Sequence, residues 1–386
     1  MICQASSVAD AALSGLLVPS TSDPYTSFAC LRQVDPVFRS PTTGMTIVTG
    51  FTEVESGLHD PRLQVGLQPG VKGARGVGGL VSNGIRRIIQ GALSGQTVSR
   101  MLPEIRAIVH RLLDNIDGDA IDFMSAVAFP LPIEVMGELL GVPPVDRTPF
   151  RSLADAVSLE SAVDPVTFAR AKAAYVQMRN YFQDLVTDRY GRRTEDDFLS
   201  NVIMAAEHER IERDALITHL VVLFWAGFET TAHFLGNGMA VLLQHPALLT
   251  ALRRGEYTVR SAVHEMLRFD APVTMVTRLP AISIELGNVV LTPDDTVLVA
   301  LAAANRDPRM HDEPDCFRLD RRPPRHMSFG SGVHACLGAG LALLEGEALF
   351  SGLISRYGVL HFGGEPVRRQ GIGLRGFEFL PVLART

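Results

Sequence analysis

The stretch that decides the fold is Phe329-Gly330-Ser331-Gly332-Val333-His334-Ala335-Cys336-Leu337-Gly338. Two glycines precede the cysteine and permit a tight turn with unusual backbone angles. A strongly apolar helical run follows from Leu337 to about Ile354, so Cys336 lies near the amino end of a helix. Unpaired N–H groups and the helix dipole favour negative charge there. The stretch therefore predicts a cysteine that ionises readily to a thiolate.

Two other interpretations of this cysteine exist. Free cysteine is among the most buried residue types, so Cys336 could be a structural core residue. Zinc binding is the second, with ligands from the histidines and cysteines of this region, which are His311, Cys316, His326, His334 and Cys336. Their spacings do not resemble the usual paired Cys-x-x-Cys or His-x-x-x-His ligands. Motifs elsewhere in the chain are needed to decide.

The bulk composition is that of a globular protein with a large core. The chain has 386 residues, of which 46% are hydrophobic and 20% charged. Four widely separated cysteines fit a reducing cytoplasm better than a disulfide scaffold. The net charge of −6 argues against a nucleic-acid partner. No signal peptide is evident, and polar residues interrupt the most apolar stretch, 216–243, so we expect a buried helix and no membrane partner.

Periodicity divides the chain into helical and β-like parts. Apolar residues recur three and four apart from about 85 to 250, which predicts helices. Short β-favouring runs occur within 20–50, within 273–300 and in the tail. The glycine-rich segment 64–84 predicts a loop. No repeat or linker is evident, so residues 1–386 are expected to form one mainly α domain with small β-sheets.

A second chemical motif is Ala226-Gly227-Phe228-Glu229-Thr230-Thr231, inside the apolar helical run. A carboxylate in such a helix is costly unless it is paired or functional. Neighbouring carboxyl and hydroxyl groups can relay protons through ordered water, and Gly227 leaves space beside them. The alternative is a polar notch in which threonine hydroxyls bond back to the preceding turn.

A third motif, Glu265-Met266-Leu267-Arg268, places opposite charges three residues apart on one helix face. Such pairs are common on protein surfaces, so an exposed ion pair is the simplest interpretation of this motif alone.

Taken in order, these motifs resemble those of the cytochromes P-450. The cysteine segment matches the F-x-x-G-x-x-x-C-x-G haem-binding signature at every fixed position. The segment 226–231 resembles the family's acid–alcohol motif, and Glu265 with Arg268 resembles its E-x-x-R motif. The resemblance covers nearly the whole chain and implies the cytochrome P-450 fold, mainly α with small β-sheets.

The resemblance also implies a cofactor and roles for single residues. Haem b would be bound through Cys336, whose thiolate favours O–O cleavage. Glu229 and Thr230 would carry the catalytic proton relay. The cofactor-binding residues would be Arg86, Ala226, Gly227, Arg278, Phe329, His334, Cys336 and Gly338. Glu265, Arg268 and Arg321 would form a structural network behind the haem.

One departure from the family pattern lies in the helix after the glycine-rich loop. Many members carry H-x-x-x-R there, with both residues on haem propionates. This chain keeps Arg86 but has Ser82 where the histidine is expected. The loop 64–84 is itself atypical. The sequence therefore does not determine whether the propionate contact is made or how the substrate pocket is closed.

Substrate and partners are less closely defined. By position, the pocket would be lined by Val222, Trp225, Ala226, Thr274, Met275 and Phe377. Trp225 would either shrink the pocket or stack on an aromatic substrate. Electrons would come from a separate ferredoxin or flavodoxin system. Arginines on the cysteine side could dock such a partner, namely Arg86, Arg87, Arg321, Arg322 and Arg325.

The implied reaction is oxygen-dependent hydroxylation, or a related oxidation, of a small hydrophobic molecule, with a role in secondary-metabolite biosynthesis. Two alternatives remain. A peroxide-driven peroxygenase usually lacks the Glu–Thr relay that is present here. A non-catalytic helper protein with the same fold tends to lose the cysteine or the relay, and this chain keeps both.

Overall fold

The computed structural model describes the chain except for residues 1, 19–22, 67–82, 117–119, 148–149, 151–164, 192–196, 323 and 372. The helices of the described residues are α1 (Ile2–Leu16), α2 (Tyr25–Val34), α3 (Phe51–His59), α4 (Asn83–Ala92), α5 (Gly95–Arg100), α6 (Leu102–Asp114), α7 (Pro130–Leu140), α8 (Pro165–Gly191), α9 (Phe198–His208), α10 (Arg213–Gln244), α11 (Pro246–Arg253), α12 (Val259–Phe269), α13 (Leu301–Ala304) and α14 (Ala339–Arg356). A π-helical turn covers Met124–Ala128, and a 3-10 turn covers Gly332–His334.

The strands are short. They are β1 (Val37–Arg39), β2 (Thr46–Val48), β3 (Leu63–Val65), β4 (Ala120–Asp122), β5 (Val276–Pro280), β6 (Ile284–Leu286), β7 (Val289–Leu291), β8 (Val297–Val299), β9 (Val359–Phe362), β10 (Val367–Arg368), β11 (Phe377–Phe379) and β12 (Pro381–Arg385). The mainly helical architecture with small sheets expected from the sequence is confirmed.

The chain divides into two compact units. The first comprises Met1–Gly79, Gly236–Cys336 and Pro366–Phe379, and the second comprises Leu80–Leu235, Leu337–Glu365 and Leu380–Thr386. The helix α10 passes from the second unit into the first. The organisation of 1–386 as one domain stays a prediction.

The first unit is built on a five-stranded sheet with the order β1-β2-β8-β5-β3. The pair β2–β8 is parallel and its neighbours are antiparallel. Its central strands are buried, with Ile47 of β2 and Leu298 of β8 both fully covered. The peripheral sheet expected within 20–50 is present, and Tyr25–Val34 of the same segment forms a helix. Phe28 and Leu31, three residues apart, bury one face of that helix.

The second unit has an aromatic core. Phe150, Phe182, Phe224 and Phe228 pack in a row with ring centroids 4.8–6.0 Å apart. This row joins α8 to α10 through offset ring contacts. A three-stranded sheet with the order β4-β12-β9 also belongs to this unit.

By length and composition alone, the helix α10 could cross a membrane. In its most apolar stretch of 18 residues, 56% is buried within the protein. It is the one helix among the described residues that meets this test. Its apolar side chains have an internal explanation, because Phe224 and Phe228 belong to the aromatic core and are fully buried.

The segment 64–84, which is predicted to be a loop, begins and ends in regular structure. Gln64 and Val65 belong to β3, where Val65 pairs with Arg278 of β5. Its last two residues, 83–84, open α4. Residues 67–82, which include Ser82, lie outside the described residues.

Candidate active site

The cysteine segment forms a closed turn. The N–H of Cys336 donates to the carbonyl of Phe329 at 2.8 Å, and the N–H of Ala335 donates to the carbonyl of Gly332 at 3.0 Å. Gly330 and Gly332 adopt φ angles of 66° and 73°, a region that residues with a Cβ rarely enter. The two glycines therefore serve the turn geometry that the sequence predicts.

Gly332 is also held against the end of α3. A Cβ at Gly332 would lie 2.7 Å from the carbonyl oxygen of Leu58, which is backbone and cannot swing aside. The hydroxyl oxygen of Ser331 lies 3.3 Å from Nε2 of His59. The cysteine turn is thus fixed by close packing on α3.

The thiol of Cys336 is exposed and takes part in no disulfide. This exposure contradicts the interpretation of Cys336 as a buried core residue. His334 is also exposed, and Phe329 is partly buried. Among the described residues, no three His, Cys, Asp or Glu side chains are placed to hold a metal ion.

Sequence reasoning overlooked the contacts that anchor the segment just before Phe329. The side-chain oxygen of Asn305 accepts the N–H of Met327 at 2.6 Å, and its amide donates to the hydroxyl of Ser328 at 2.8 Å. Ser328 in turn donates to the carbonyl of Leu267 at 2.7 Å. Asn305 is fully buried. Because Asn305 lies 22 residues from Met327 and 23 from Ser328 in the chain, no local pattern signals these contacts.

The Glu265–Arg268 pair is buried, which excludes an exposed ion pair. Arg268 donates to both carboxylate oxygens of Glu265 at 2.7 Å, in the bidentate geometry that guanidinium favours. Arg321 donates to the same carboxylate at 3.2 Å. Arg268 also donates to the carbonyls of Asn305, Pro314 and Cys316. The three expected network residues are therefore in contact.

Arg278, on β5, is an isolated buried cation. Its residue exposure is 5%, and its Nε has no hydrogen-bond partner among the described residues. Its Nη1 donates to the carbonyl of the neighbouring Thr277 at 3.0 Å. Burial lowers the pKa of Arg278 to about 10. A buried guanidinium without a carboxylate is costly, so its position indicates an anionic ligand.

The expected pocket residues of the first unit are held by backbone bonds. The N–H of Thr274 donates to the carbonyl of Gly373 at 2.8 Å, which ties its segment to the loop between β10 and β11. Thr274, Met275 and Phe377 are all buried, and the guanidinium of Arg368 stacks on the ring of Phe377.

A second group that the sequence did not reveal centres on Asp270. This buried carboxylate accepts from Tyr25 at 3.1 Å, Arg375 at 2.6 Å and Arg368 at 3.1 Å. Burial opposes ionisation of Asp270, but the charges of Arg375 and Arg368 outweigh it and lower its pKa. The group therefore joins α2, the end of α12 and the tail.

The acid–alcohol motif lies within the second unit. Glu229 is only 4% exposed, and Ala226 is exposed although most of its helix is buried. The hydroxyl of Thr230 donates to the carbonyl of Ala226 at 2.9 Å, one turn back. Thr231 bonds to Gly227 in the same way. The back-bonding anticipated from the sequence is therefore present.

Gly227 also has a packing role that the sequence did not reveal. A Cβ there would lie 2.6 Å from the sulfur of Met136 on α7. The glycine thus permits close packing of α10 on α7, and the space beside it is already filled by Met136. Of the remaining expected residues, Val222, Trp225 and Arg86 are partly buried, and Gly338 is the residue that precedes the first turn of α14.

Comparison with known proteins gives a specific family. The family model described as Cytochrome P450 matches residues 150–374, more than half of the chain. The 6-deoxyerythronolide B hydroxylase of Saccharopolyspora erythraea is 34% identical, over 93% of this chain and 96% of the relative. Cytochrome P450 monooxygenase PikC of Streptomyces venezuelae is 32% identical, over 94% of this chain and 91% of the relative.

Solved structures give the same result. P450BioI, solved in complex with a fatty-acyl carrier protein, superposes with a TM-score of 0.86 at 28% identity, covering 94% of this chain and 99% of that chain. CxnD, a P450 enzyme for C–S bond formation in chuangxinmycin biosynthesis, superposes with a TM-score of 0.85 at 30% identity, covering 96% of both chains.

The residues described above fit the haem cofactor of that family. Haem carries two propionate carboxylates, and Arg278 is a buried cation whose Nε lacks a partner among the described residues. Its iron takes a thiolate ligand, and Cys336 presents an exposed thiol on a fixed turn. The fold is the cytochrome P-450 fold and the homologues are monooxygenases and hydroxylases. This chain belongs to the cytochrome P450 family of monooxygenases.

Proposed function

We propose that this chain is a cytoplasmic haem-thiolate monooxygenase that uses O2 to hydroxylate, or otherwise oxidise, a small hydrophobic molecule, with Cys336 as the ligand of haem b. The observation that carries the proposal is the cysteine turn. Its glycines have left-handed φ angles, its ends are joined by the Cys336–Phe329 hydrogen bond, and its thiol is exposed.

Three cationic side chains are proposed to hold the propionates. Arg278 is the strongest candidate because it is buried and no carboxylate pairs with it among the described residues. Arg86 and His334 are the other two, on the grounds of the family motif. Phe329 and Gly338 would lie against the haem on the cysteine side. Two charge-assisted bonds from Arg278 would restore the electrostatic energy that its burial costs.

Haem bound to a cysteinate supplies the redox chemistry that activates O2. The residues of α10 are proposed to manage protons beside it. The carboxyl of Glu229 is nearly buried, so it can hold a proton away from bulk solvent. The hydroxyl of Thr230 donates a hydrogen bond to the carbonyl of Ala226. The lone pairs of its oxygen therefore remain available to accept a hydrogen bond from another donor. Proton delivery of this kind contributes about 10²–10⁴-fold to rates.

The proposed substrate is a secondary metabolite. The relatives include a hydroxylase of 6-deoxyerythronolide B and a P450 of polyketide biosynthesis, PksS of Bacillus subtilis, which is 33% identical over 77% of this chain. The residues proposed from the family resemblance to contact the substrate are Val222, Trp225, Ala226, Thr274, Met275 and Phe377.

Electrons are proposed to come from a ferredoxin or flavodoxin. The proposed cluster of docking arginines is narrower than the one expected from the sequence, because Arg321 is partly buried and paired with Glu265. Arg325 is exposed and pairs with Glu55, and Arg322 is exposed. Val333, in the cysteine turn, is 68% exposed. An acidic partner would therefore meet the surface of Arg322, Arg325 and Val333.

The test uses ¹⁸O2 with the haem-loaded protein, a ferredoxin and its reductase, and a panel of macrolactones and other hydrophobic molecules. The proposal expects one ¹⁸O atom in a product and a requirement for the reductase. Thr230→Ala is expected to lower product formed per electron consumed, with Thr250→Ala on the exposed face of α11 as the control. Product formed with peroxide but not with O2 and reductase would contradict the proposal and favour a peroxygenase.

A further inference from the structure

The second unit contains a cavity that the proposed oxidation does not use. Its volume is about 500 Å³, within the range of small-molecule sites, about 300–1,000 Å³. One face of α7 forms its floor and supplies Pro130, Ile133, Glu134 and Glu138 at helical spacing. Pro130 and Glu138 are eight residues apart, so the cavity follows the helix for about 12 Å.

Arg147 forms the polar end of this cavity. Its side chain is only 8% exposed and lies on Gly137, where an added Cβ would be 2.4 Å from Nε of the guanidinium. That Nε donates to the carbonyl of Val142 at 2.8 Å, and Nη2 donates to one carboxylate oxygen of Glu138 at 2.8 Å. The Nη1 atom has no hydrogen-bond partner among the described residues, and it is reachable by solvent. The guanidinium therefore offers a fixed, unused donor to the cavity.

Glu138 offers an acceptor beside that donor. Only one of its carboxylate oxygens takes part in the bond from Arg147, and the other has no partner within the described part of the chain. The side chain of Glu138 is 39% exposed, so this second oxygen is open to a ligand. A donor and an acceptor on adjoining side chains are the complement of a group that both accepts and donates.

The rest of the cavity is apolar or electrically balanced. Pro130, Ile133 and Pro144 line it with hydrocarbon. Arg111 of α6 donates to both carboxylate oxygens of Glu134, so this pair satisfies itself. The described lining thus holds two guanidinium groups and two carboxylates, with no net charge. A neutral ligand suits such a lining better than an ion, because either sign of charge would face a like charge.

We propose that this cavity binds a neutral hydrophobic amide that keeps an N–H group. The carbonyl oxygen of the amide accepts from Nη1 of Arg147, and its N–H donates to the free oxygen of Glu138. The hydrocarbon chain lies along α7, over Ile133 and Pro130. This binding site is independent of the proposed function, since none of its residues belongs to the proposed haem or substrate contacts.

The test measures binding by equilibrium dialysis on the haem-loaded protein and needs no turnover. Three probes share one hydrocarbon chain: octanamide, N,N-dimethyloctanamide, which cannot donate, and octanoate, which is an anion. The variant is Glu138→Gln, whose side-chain oxygen can keep the bond from Arg147 while its NH2 group faces the ligand as a donor. The matched control is Glu256→Gln, which alters the exposed pair with Arg254. Equal haem absorbance of the three proteins shows that each is folded.

We expect the wild-type protein to bind octanamide about 10-fold more tightly than the dimethyl amide, the value of one hydrogen bond to a charged group. Glu138→Gln should abolish this preference. It should also raise the affinity for octanoate relative to octanamide by about 10-fold or more, because a repelling carboxylate is replaced by a donor. Glu256→Gln should leave both ratios unchanged.

Binding elsewhere on the protein is common to the wild type and both variants, so it cannot produce this exchange of preference. Three results would each overturn the proposal: no binding of octanamide by the wild type, equal binding of the two amides by the wild type, or unchanged ratios in Glu138→Gln.

Discussion

Arg268 donates to both carboxylate oxygens of Glu265 at 2.7 Å, and the two side chains are 0% and 1% exposed. The same guanidinium donates to three backbone carbonyls between residues 305 and 316. The ion pair therefore organises the irregular chain that leads to the cysteine turn.

Replacing Glu265 by Gln should destabilise the protein by about 3–5 kcal/mol, because it leaves a buried guanidinium without its counter-charge. The loss is measured as a lower free energy of unfolding in urea. The matched control is Asp320→Asn, which breaks the exposed pair with Arg318 and should cost less than about 1 kcal/mol. Equal effects of the two variants would show that burial of the pair is unimportant.

The two glycines of the cysteine turn should differ in their tolerance of alanine. At Gly330 the left-handed φ alone is unfavourable, by about 1–2 kcal/mol, since the nearest atom to an added Cβ is 3.9 Å away. Gly332→Ala adds a collision with the Leu58 carbonyl at 2.7 Å, worth about 1–3 kcal/mol more. In thermal unfolding, Gly332→Ala should therefore have a lower midpoint temperature than Gly330→Ala. The reverse order would refute the close packing of the turn on α3.

Acid should destabilise the fold through a histidine cluster beneath the turn. Burial, with help from His264, His311 and Arg268, lowers the pKa of His326 to about 3, and burial lowers that of His311 to about 4. Unfolded histidine titrates near about 6.5. Below that pH these histidines are protonated in the unfolded chain but stay neutral in the folded chain. The free energy of unfolding is therefore highest above about pH 6.5 and falls on acidification.

His326→Gln should therefore flatten the fall in unfolding free energy between about pH 6.5 and 4, by up to about 1.4 kcal/mol per pH unit. The measurement is a series of urea titrations across that range. The exposed His208→Gln serves as the control. An unchanged slope in His326→Gln would exclude His326 as the source of the acid sensitivity.

Alkaline pH should act through Glu345 on α14. Burial raises the pKa of this carboxyl well above its usual range, and one of its oxygens has no partner among the described residues. The unfolded chain releases this proton at its ordinary pKa while the folded chain keeps it, so stability falls as pH rises above that value. Glu345→Gln should thus gain stability relative to wild type as pH rises above the ordinary glutamate pKa, by about 1.4 kcal/mol per pH unit while the folded carboxyl stays protonated. The exposed Glu104→Gln should show no such gain, and an equal pH profile for Glu345→Gln would contradict the assignment.

The sequence was sufficient to predict contacts between residues that lie within a few positions of one another. The turn around Cys336 could be predicted because its glycines and the cysteine lie within a few residues of one another. The pairing of Glu265 with Arg268 follows from one helical turn, although its burial does not. The helix Tyr25–Val34 was missed because its apolar spacing lies in a segment rich in Pro, Thr and Ser.

Contacts between distant parts of the chain could not be predicted. Asn305 binds Met327 and Ser328, more than 20 residues away. Asp270 gathers Tyr25 and Arg375 from opposite ends of the sequence. The packing of Gly227 against Met136 escaped prediction for the same reason, since Met136 belongs to α7. Nothing in the local pattern of these residues distinguishes them from ordinary polar or small residues.

The most direct test of the central claim is the absorption spectrum of the purified protein, reduced with dithionite and exposed to carbon monoxide. Ligation of haem by the Cys336 thiolate predicts a Soret band shifted strongly to the red, and Cys336→Ser should lose that shift, whereas Cys316→Ser should keep it. A colourless protein after expression with haem supply, or a red-shifted band that persists in Cys336→Ser, would contradict the account.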